Sequence, residues 1–547
     1  MSSLSFLPSV FFSSSADDVA LDEIRALGTP GEMVSLSFFL ASSQFLAEIE
    51  IEISDLSQDS AVIHRGLLDL YVVKVWEQAG IGVYQSTTMD VAELLLKDDR
   101  ECLHDHYSRR CAHWKNPRHW RHGLRPPQFY CGPTIRLHGP VRTSLEAGAK
   151  KQLWVSVKIP PEAGAGIYTG YITFKTKEEG EKRFSVLLEV LPIQLLQPPH
   201  DFFMWYKGTL DCVLSQHHVS ERVFEAQLRD IYEHGFTSFS LAESKAHFLQ
   251  KALDIAHRIG FCGNVVLTGG WRLGIESVDF KGMTPIYYVS DEADLRGESA
   301  MRSHADNWRK VKAHGGTTMA SILNESNVKT VFRTGKENLT PDILLFHLVG
   351  NRHYFAMRSQ FASAQEKTVY YYWLSHIEKP NVHRVLMGLL LWKSGAQGVA
   401  PYSYQHLPGR GSSPFDDFAP VEDEGHSKGK KGLRRSLMTT YPAAKGSIPT
   451  LQWKGLSAGI TDLKYLTTLN ATLEAATSRA DPDLQNLAFE IQRRVDNFLN
   501  RLSWSRIEIP GPVQSEPYLD IAPWEYQMFR EQMARDIVSL QNAMDTL

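Results

Sequence analysis

The sequence predicts a multidomain β plus α/β protein. An N-terminal antiparallel β-sandwich is followed by a (β/α)8 TIM-like barrel and then by a C-terminal helical extension. Three observations predict this. Up to residue 192 the strand-like runs alternate apolar and polar residues with period two, which gives each strand one buried and one wet face. After Pro199 strand-like and helical runs alternate, the rhythm of a parallel sheet that closes on itself. From residue 480 the pattern is mostly helical.

The sandwich strands are "GEMVSLSFFLA" (31–41), "AEIEIEISDL" (47–56), "QLWVSVKIP" (152–160), "GIYTGYITFKT" (166–176) and "KRFSVLLEVLP" (182–192). Gly164, Gly166 and Gly170 mark turns near the last two. The proline-bounded "PIQLLQPP" (192–199) is the exit. It sets the expected domains at 1–197, with an insertion at 100–138, then 200–480 and 481–547.

Eight barrel strands are expected to begin near 202, 237, 264, 284, 317, 342, 368 and 397. Helices are expected over 220–235, with Ser220 as N-cap and Gly235 as stop, and over 245–260, 298–316 and 381–396. The stretch 447–477 closes the barrel with a helix, and 484–502 and 524–544 form the tail, on the barrel or on a second copy of the chain. The long polar stretch 407–433 reads as a solvated flap.

The 547 residues allow two to four domains at about 150 residues each. The net charge, 58 − 62 = −4, lacks the basic excess of a nucleic-acid binder. No run of 18 apolar residues is present, so no membrane span is expected. Five cysteines, an odd number without a disulfide-scaffold spacing, read as mostly reduced thiols. The N-terminus has a short apolar stretch like a weak signal peptide, but it lacks a basic lead and Pro8 interrupts it. A cytoplasmic location is favoured over a secreted one. Aromatic residues make up 11%, enough to furnish either a large core or a cleft that stacks on sugars.

A (β/α)8 barrel carries its active site at the C-terminal ends of its strands. At those ends stand Trp205, Tyr206 and Lys207; Glu243; Asp291 and Glu292; Asn324 and Glu325; His347; Trp373 and His376; and Tyr402, Tyr404 and His406. Carboxylates, aromatics and amides on one rim suit a carbohydrate. Asp291 and Glu292 are the strongest pair. Neighbours on a strand face opposite ways, so both reach one ligand only where a strand gives way to its loop. The bland reading is a helix cap, or an ion pair with Arg296 or Arg302.

An Asp-Glu dyad ending the fourth barrel strand resembles glycoside hydrolase family 123, the β-N-acetylgalactosaminidases. The stretches 69–80, 91–99, 151–174, 384–405 and 441–469 are similar to the same family. The resemblance implies a retaining exo-glycosidase that releases β-linked N-acetylgalactosamine by substrate-assisted catalysis. The sugar's own 2-acetamido oxygen attacks the anomeric carbon, giving an oxazoline intermediate. Asp291 would orient the acetamido group and Glu292 would be the general acid/base. Tyr402 or Tyr404 would bind the acetamido oxygen. Trp205, Trp373 or Trp392 would form a stacking floor, with Tyr206 beside it, and Asn324 would hold a hydroxyl. Barrel packing is the competing role for these aromatics, and a cap for Asn324.

Two departures stand out. Only Gly270–Met283 separates the third strand from the fourth, so the third helix is short or missing. The sandwich also carries the insertion "CLHDHYSRRCAHWKNPRHWRHGLRPPQFYC" (102–131). Cys102, His104, His106, Cys111, His113, His119, His122 and Cys131 are zinc-ligand types without a familiar ligand spacing. A loop over the barrel mouth or into a partner subunit is preferred, and no metal or cofactor is called for. Two other readings stay open. One is a glycosidase in which Glu325 is nucleophile to Glu292; the other is a non-catalytic carbohydrate-binding protein. The expected partner is a carbohydrate with a terminal β-GalNAc; the aglycone, GalNAc against GlcNAc, and a homo-oligomeric state are left open.

Overall fold

The computed structural model describes residues 4–10, 13–14, 22–79, 84–85, 88–101, 135–211, 217–268, 275–292, 297–322, 341–348, 368–374, 379–406, 415, 433–434, 437–502 and 521–546. The insertion 102–131 and most of the flap 407–433 lie outside these residues.

The N-terminal part is two packed sheets. Its main strands are β1 (Leu4–Val10), β2 (Glu23–Gly28), β3 (Met33–Ser42), β4 (Leu46–Ile53), β5 (Leu68–Ala79), β6 (Thr88–Leu96), β7 (Val141–Leu145), β8 (Lys150–Lys158), β9 (Gly166–Thr176) and β10 (Gly180–Val190). One sheet runs β6-β5-β8-β3-β1 and the other β7-β4-β9-β10-β2. Period-two patterning sends Val34, Leu36, Phe38 and Leu40 of β3 into the core. There Phe38 meets Phe184 of the facing sheet at 5.1 Å between ring centroids. Among these described strands the pairings are antiparallel except one: β2 lies parallel to β10, Glu23 opposite Ser185.

The C-terminal part is built on a closed barrel of eight parallel strands. These are β11 (Asp201–Met204), β12 (Ser238–Leu241), β13 (Asn264–Thr268), β14 (Thr284–Ser290), β15 (Thr317–Ile322), β16 (Ile343–His347), β17 (Thr368–Tyr372) and β18 (Gly398–Val399). All eight stand where the hydrophobic rhythm puts them. Alternate residues fill the lumen: Phe203, Val266, Ile286, Met319, Leu345 and Tyr370 form a cluster separate from the main core. Asp201 closes the N-terminal end, accepting from Tyr370 Oη at 2.7 Å and Asn264 Nδ2 at 2.8 Å.

Helices α1 (Glu221–Glu233), α2 (Ala246–Ile259) and α3 (Gly297–Ala313) follow the first, second and fourth strands. Ser220 caps α1 by accepting from the Val223 amide. Between the third and fourth strands the described residues hold only a 3-10 turn, Ile275–Ser277. The helix expected over 381–396 is broken at Gly388 into α4 (Pro380–Met387) and α5 (Leu389–Ser394). At the break the backbone comes against the long helix α6 (Leu451–Thr477). A Cβ at Gly388, Gly455 or Gly459 would collide with a carbonyl oxygen of the opposite helix.

Helices α7 (Pro482–Arg501) and α8 (Pro523–Asp545) pack on α6. Buried Asp462 of α6 holds two buried guanidiniums: Arg384 of α4 at 2.6 and 2.8 Å and Arg530 of α8 at 2.6 Å. No described helix is long and apolar enough to cross a membrane. Asp462→Ala should strand both cations in the core and cost about 3–5 kcal/mol. A urea-unfolding midpoint unchanged from wild type would contradict this.

Candidate active site

The mouth of the barrel is organised by the end of β14. Its pairing register with β15 slips between Tyr288 and Ser290, as at a bulge. The chain then turns, and Glu292 takes a φ of 45°, a left-handed conformation uncommon for a residue with a Cβ. A hydrogen bond holds the turn: the Glu292 amide donates to Ser321 Oγ of β15 at 2.7 Å. Ser321 Oγ also lies 2.7 Å from Tyr288 Oη and 3.2 Å from Asp291 Oδ1. Tyr288 donates to that same Oδ1 at 2.7 Å. Asp291 and Glu292 are thus fixed through one hydroxyl pair, Asp291 exposed and Glu292 half-buried. Burial and the charge of Asp291 hold the Tyr288 phenol well above its ordinary range, so it remains a donor.

An aromatic wall adjoins the dyad. The Trp205 ring is 4.8 Å from Tyr288 and 5.8 Å from Tyr402, edge to face in both cases. Trp205 is only 3% exposed and supports the wall from beneath, while Tyr402 is half-buried. The Lys207 ammonium stands 5.1 Å from the centre of the Tyr402 ring and 5.9 Å from that of Trp205. Burial pulls Lys207 below its usual range, against the charge of Asp291. Burial and the Lys207 charge push His217 down to about 3. Burial pushes His347, 4.7 Å from the Tyr372 ring, down to about 4. The His406 ring lies 5.3 Å from Tyr402 and 5.5 Å from His217.

Of the residues named from the sequence, the mouth brings together Trp205, Asp291, Glu292 and Tyr402, with Lys207, His347 and His406. Four aromatics point elsewhere. Trp373 is fully buried against α4, its indole donating to His383 Nδ1 at 3.0 Å. Tyr404 is fully buried, bonded to Asp230 at 2.7 Å and Ser447 at 2.6 Å. Tyr206 packs on Phe224 and donates to Gln227 Oε1 at 2.8 Å. Trp392 of α5 lies by His200, just before β11, at the opposite end of the barrel. Trp205 and Tyr372 face the lumen, so their neighbours Tyr206 and Trp373 must face outward. Glu243 is buried. It accepts from the Leu210 and Asp211 amides and Thr209 Oγ1, and so shapes the loop after β11. Asn324, Glu325 and His376 lie outside the described residues. Tyr288 and Ser321 were missed; strand parity, which puts Tyr288 in the lumen, was the available signal for the first.

No protein-family model and no curated protein matches the sequence. Solved structures do match. A family 123 glycoside hydrolase from Clostridium perfringens, studied for glycolipid glycan hydrolysis, superposes with a TM-score of 0.59 at 12% identity, over 98% of each chain. The chain shares that enzyme's fold. A family 5 xyloglucanase from Bacteroides ovatus reaches a TM-score of 0.30 at 8% identity, over 80% of this chain and 99% of its own. A family 99 endo-α-mannosidase from a Bacteroides species also reaches 0.30, at 12% identity, over 49% of this chain and 98% of its own.

His347 generates a pH prediction. Its folded value near 4 lies below an unfolded value of about 6.5. Between the two the unfolded chain binds more protons. The stability is therefore present above about 6.5 and is lost as pH falls toward 4. Melting temperatures measured from pH 7 to 4 should fall, and His347→Leu should flatten that fall. An identical slope in the variant would count against it.

Proposed function

We propose that the chain is a retaining exo-glycosidase that releases β-linked N-acetylgalactosamine by substrate-assisted catalysis. The observation that carries this reading is the Asp291–Glu292 turn, pinned by Tyr288 and Ser321 at the C-terminal end of the fourth barrel strand. The fold shared with a family 123 glycoside hydrolase supports it.

In this reading Asp291 Oδ1 is occupied by Tyr288, and Oδ2 accepts the acetamido N–H of the sugar. That contact aims the acetamido oxygen at the anomeric carbon. As the C–O bond to the aglycone breaks, the acetamido oxygen bonds to the anomeric carbon and Glu292 gives its proton to the leaving oxygen. Asp291 offsets the positive charge on the ring so formed. Glu292 then takes a proton from water, whose oxygen attacks the same carbon and reopens the ring. Two inversions give net retention. Tyr402 and Lys207 contact the sugar from the wall, with Trp205 holding both in place.

Aryl β-GalNAc, β-GlcNAc and β-Gal glycosides test the reading. Hydrolysis should require the 2-acetamido group, and a thiazoline mimic of the cyclic intermediate should inhibit. Glu292→Gln should lower kcat roughly 10²–10⁴-fold, with a milder loss for good leaving groups. Tyr288→Phe should cost roughly tenfold by removing a donor to Asp291. Comparable turnover of the plain β-galactoside would sink substrate assistance. A greater loss from Glu325→Gln than from Glu292→Gln would favour two enzyme carboxylates.

A further inference from the structure

A cavity of about 470 Å3 lies where the sandwich meets the flank of the barrel. It shares no residue with the barrel mouth. β5, β6 and β8 wall one side; α1, α6 and the hairpin at 440–449 wall the other. Two lysines from opposite sides line it, and both are almost fully buried: Lys97 at 4% and Lys454 at 6% exposure.

Their hydrogen bonds leave capacity over. Lys454 Nζ is 3.0 Å from His234 Nε2 and 4.0 Å from Met33 Sδ. His234 Nδ1 lies 2.8 Å from the Asp230 carbonyl oxygen and 3.1 Å from its Oδ1. Nδ1 therefore carries the proton and Nε2 accepts, which uses one of the three ammonium donors. No carboxylate among the described residues forms an ion pair with Lys454. Lys97 donates to the Leu70 carbonyl at 2.7 Å and lies 4.2 Å from the centre of the Tyr71 ring. It also donates to Asp69 Oδ1 at 3.4 Å, its ion-pair partner, whose side chain is 55% exposed, and this leaves one ammonium donor. Asp230 is taken up by His234, Tyr404 and Trp453, and Glu233 by Lys158. Burial draws both lysines downward, against the charges of Asp230 and Asp69 on Lys454 and of Asp69 on Lys97. Lys158, Arg136 and Lys445 also line the cavity.

Buried ammonium donors facing an open volume call for a ligand that brings acceptors and negative charge. The volume falls within the range of small-molecule sites. We propose that this junction is a second binding site, for an anionic small molecule of about monosaccharide size whose phosphate or carboxylate lies between Lys97 and Lys454. Such a ligand bridges both parts of the chain and is bound only while they are docked. The site is independent of the glycosidase reading.

The test is calorimetry and thermal melting of the full chain at constant ionic strength. The probes are inorganic phosphate, glucose 6-phosphate, glucuronate and uncharged glucose. Glucose 6-phosphate or glucuronate should raise the melting temperature by roughly 2 °C or more, and glucose should not. The better of the two anions identifies the headgroup. Binding should weaken roughly tenfold in Lys97→Met and in Lys454→Met and stay unchanged in Lys207→Met. Should either Met variant not fold, Lys158→Ala at the exposed rim should weaken the same binding. No anion-specific shift, a shift that survives these substitutions, or one lost in Lys207→Met instead would overturn the proposal.

Discussion

Closing eight parallel strands into a barrel forces each strand to divide its side chains between the lumen and the surrounding helices. Everything at the mouth depends on that division. Phe203, Trp205 and Tyr372 point inward because their neighbours Met204, Tyr206 and Trp373 must fill the space under helices. Only where β14 slips register and turns can two adjacent acids leave the rule. The left-handed backbone at Glu292 is held by Ser321 from the next strand. A non-glycine residue keeps such a conformation only when its surroundings over-determine it.

The rest of the molecule secures that frame with buried acidic and basic side chains that bond between its parts. Asp462 joins α4, α6 and α8. Glu93 of β6 is fully buried and accepts from Trp76, Tyr441 and Gln452, tying the sandwich to the hairpin and to α6. Glu32, from the sandwich, accepts from Tyr465 of α6 at 2.7 Å. Burial pushes Glu32 up despite Arg530. These contacts join sandwich, barrel and tail into one packed body, whose junction encloses the lysine-lined cavity.

Period-two alternation, helix caps and the strand–helix rhythm made the eight barrel strands and most described helices legible in the sequence. Local pattern could not show the close helix contact at Gly388, because the carbonyl it meets belongs to α6, some seventy residues away. Nor could it show the parallel pairing of β2 with β10, since a parallel partner carries no hairpin signal.

At the site, strand ends were enough to mark Asp291, Glu292, Trp205 and Tyr402 as candidates. They were not enough to separate Trp205 and Tyr402 from Tyr206, Trp373 and Tyr404, which are equally aromatic and also stand at strand ends. The sequence by itself determined the order of elements and the dyad at the end of a strand, because both are written in residue type and spacing. Only the tertiary structure decided which rings reach the mouth and that Tyr288 and Ser321 hold the dyad. It alone showed that Lys97 and Lys454 share a cavity. Those facts depend on closure, register and packing between residues far apart in the chain.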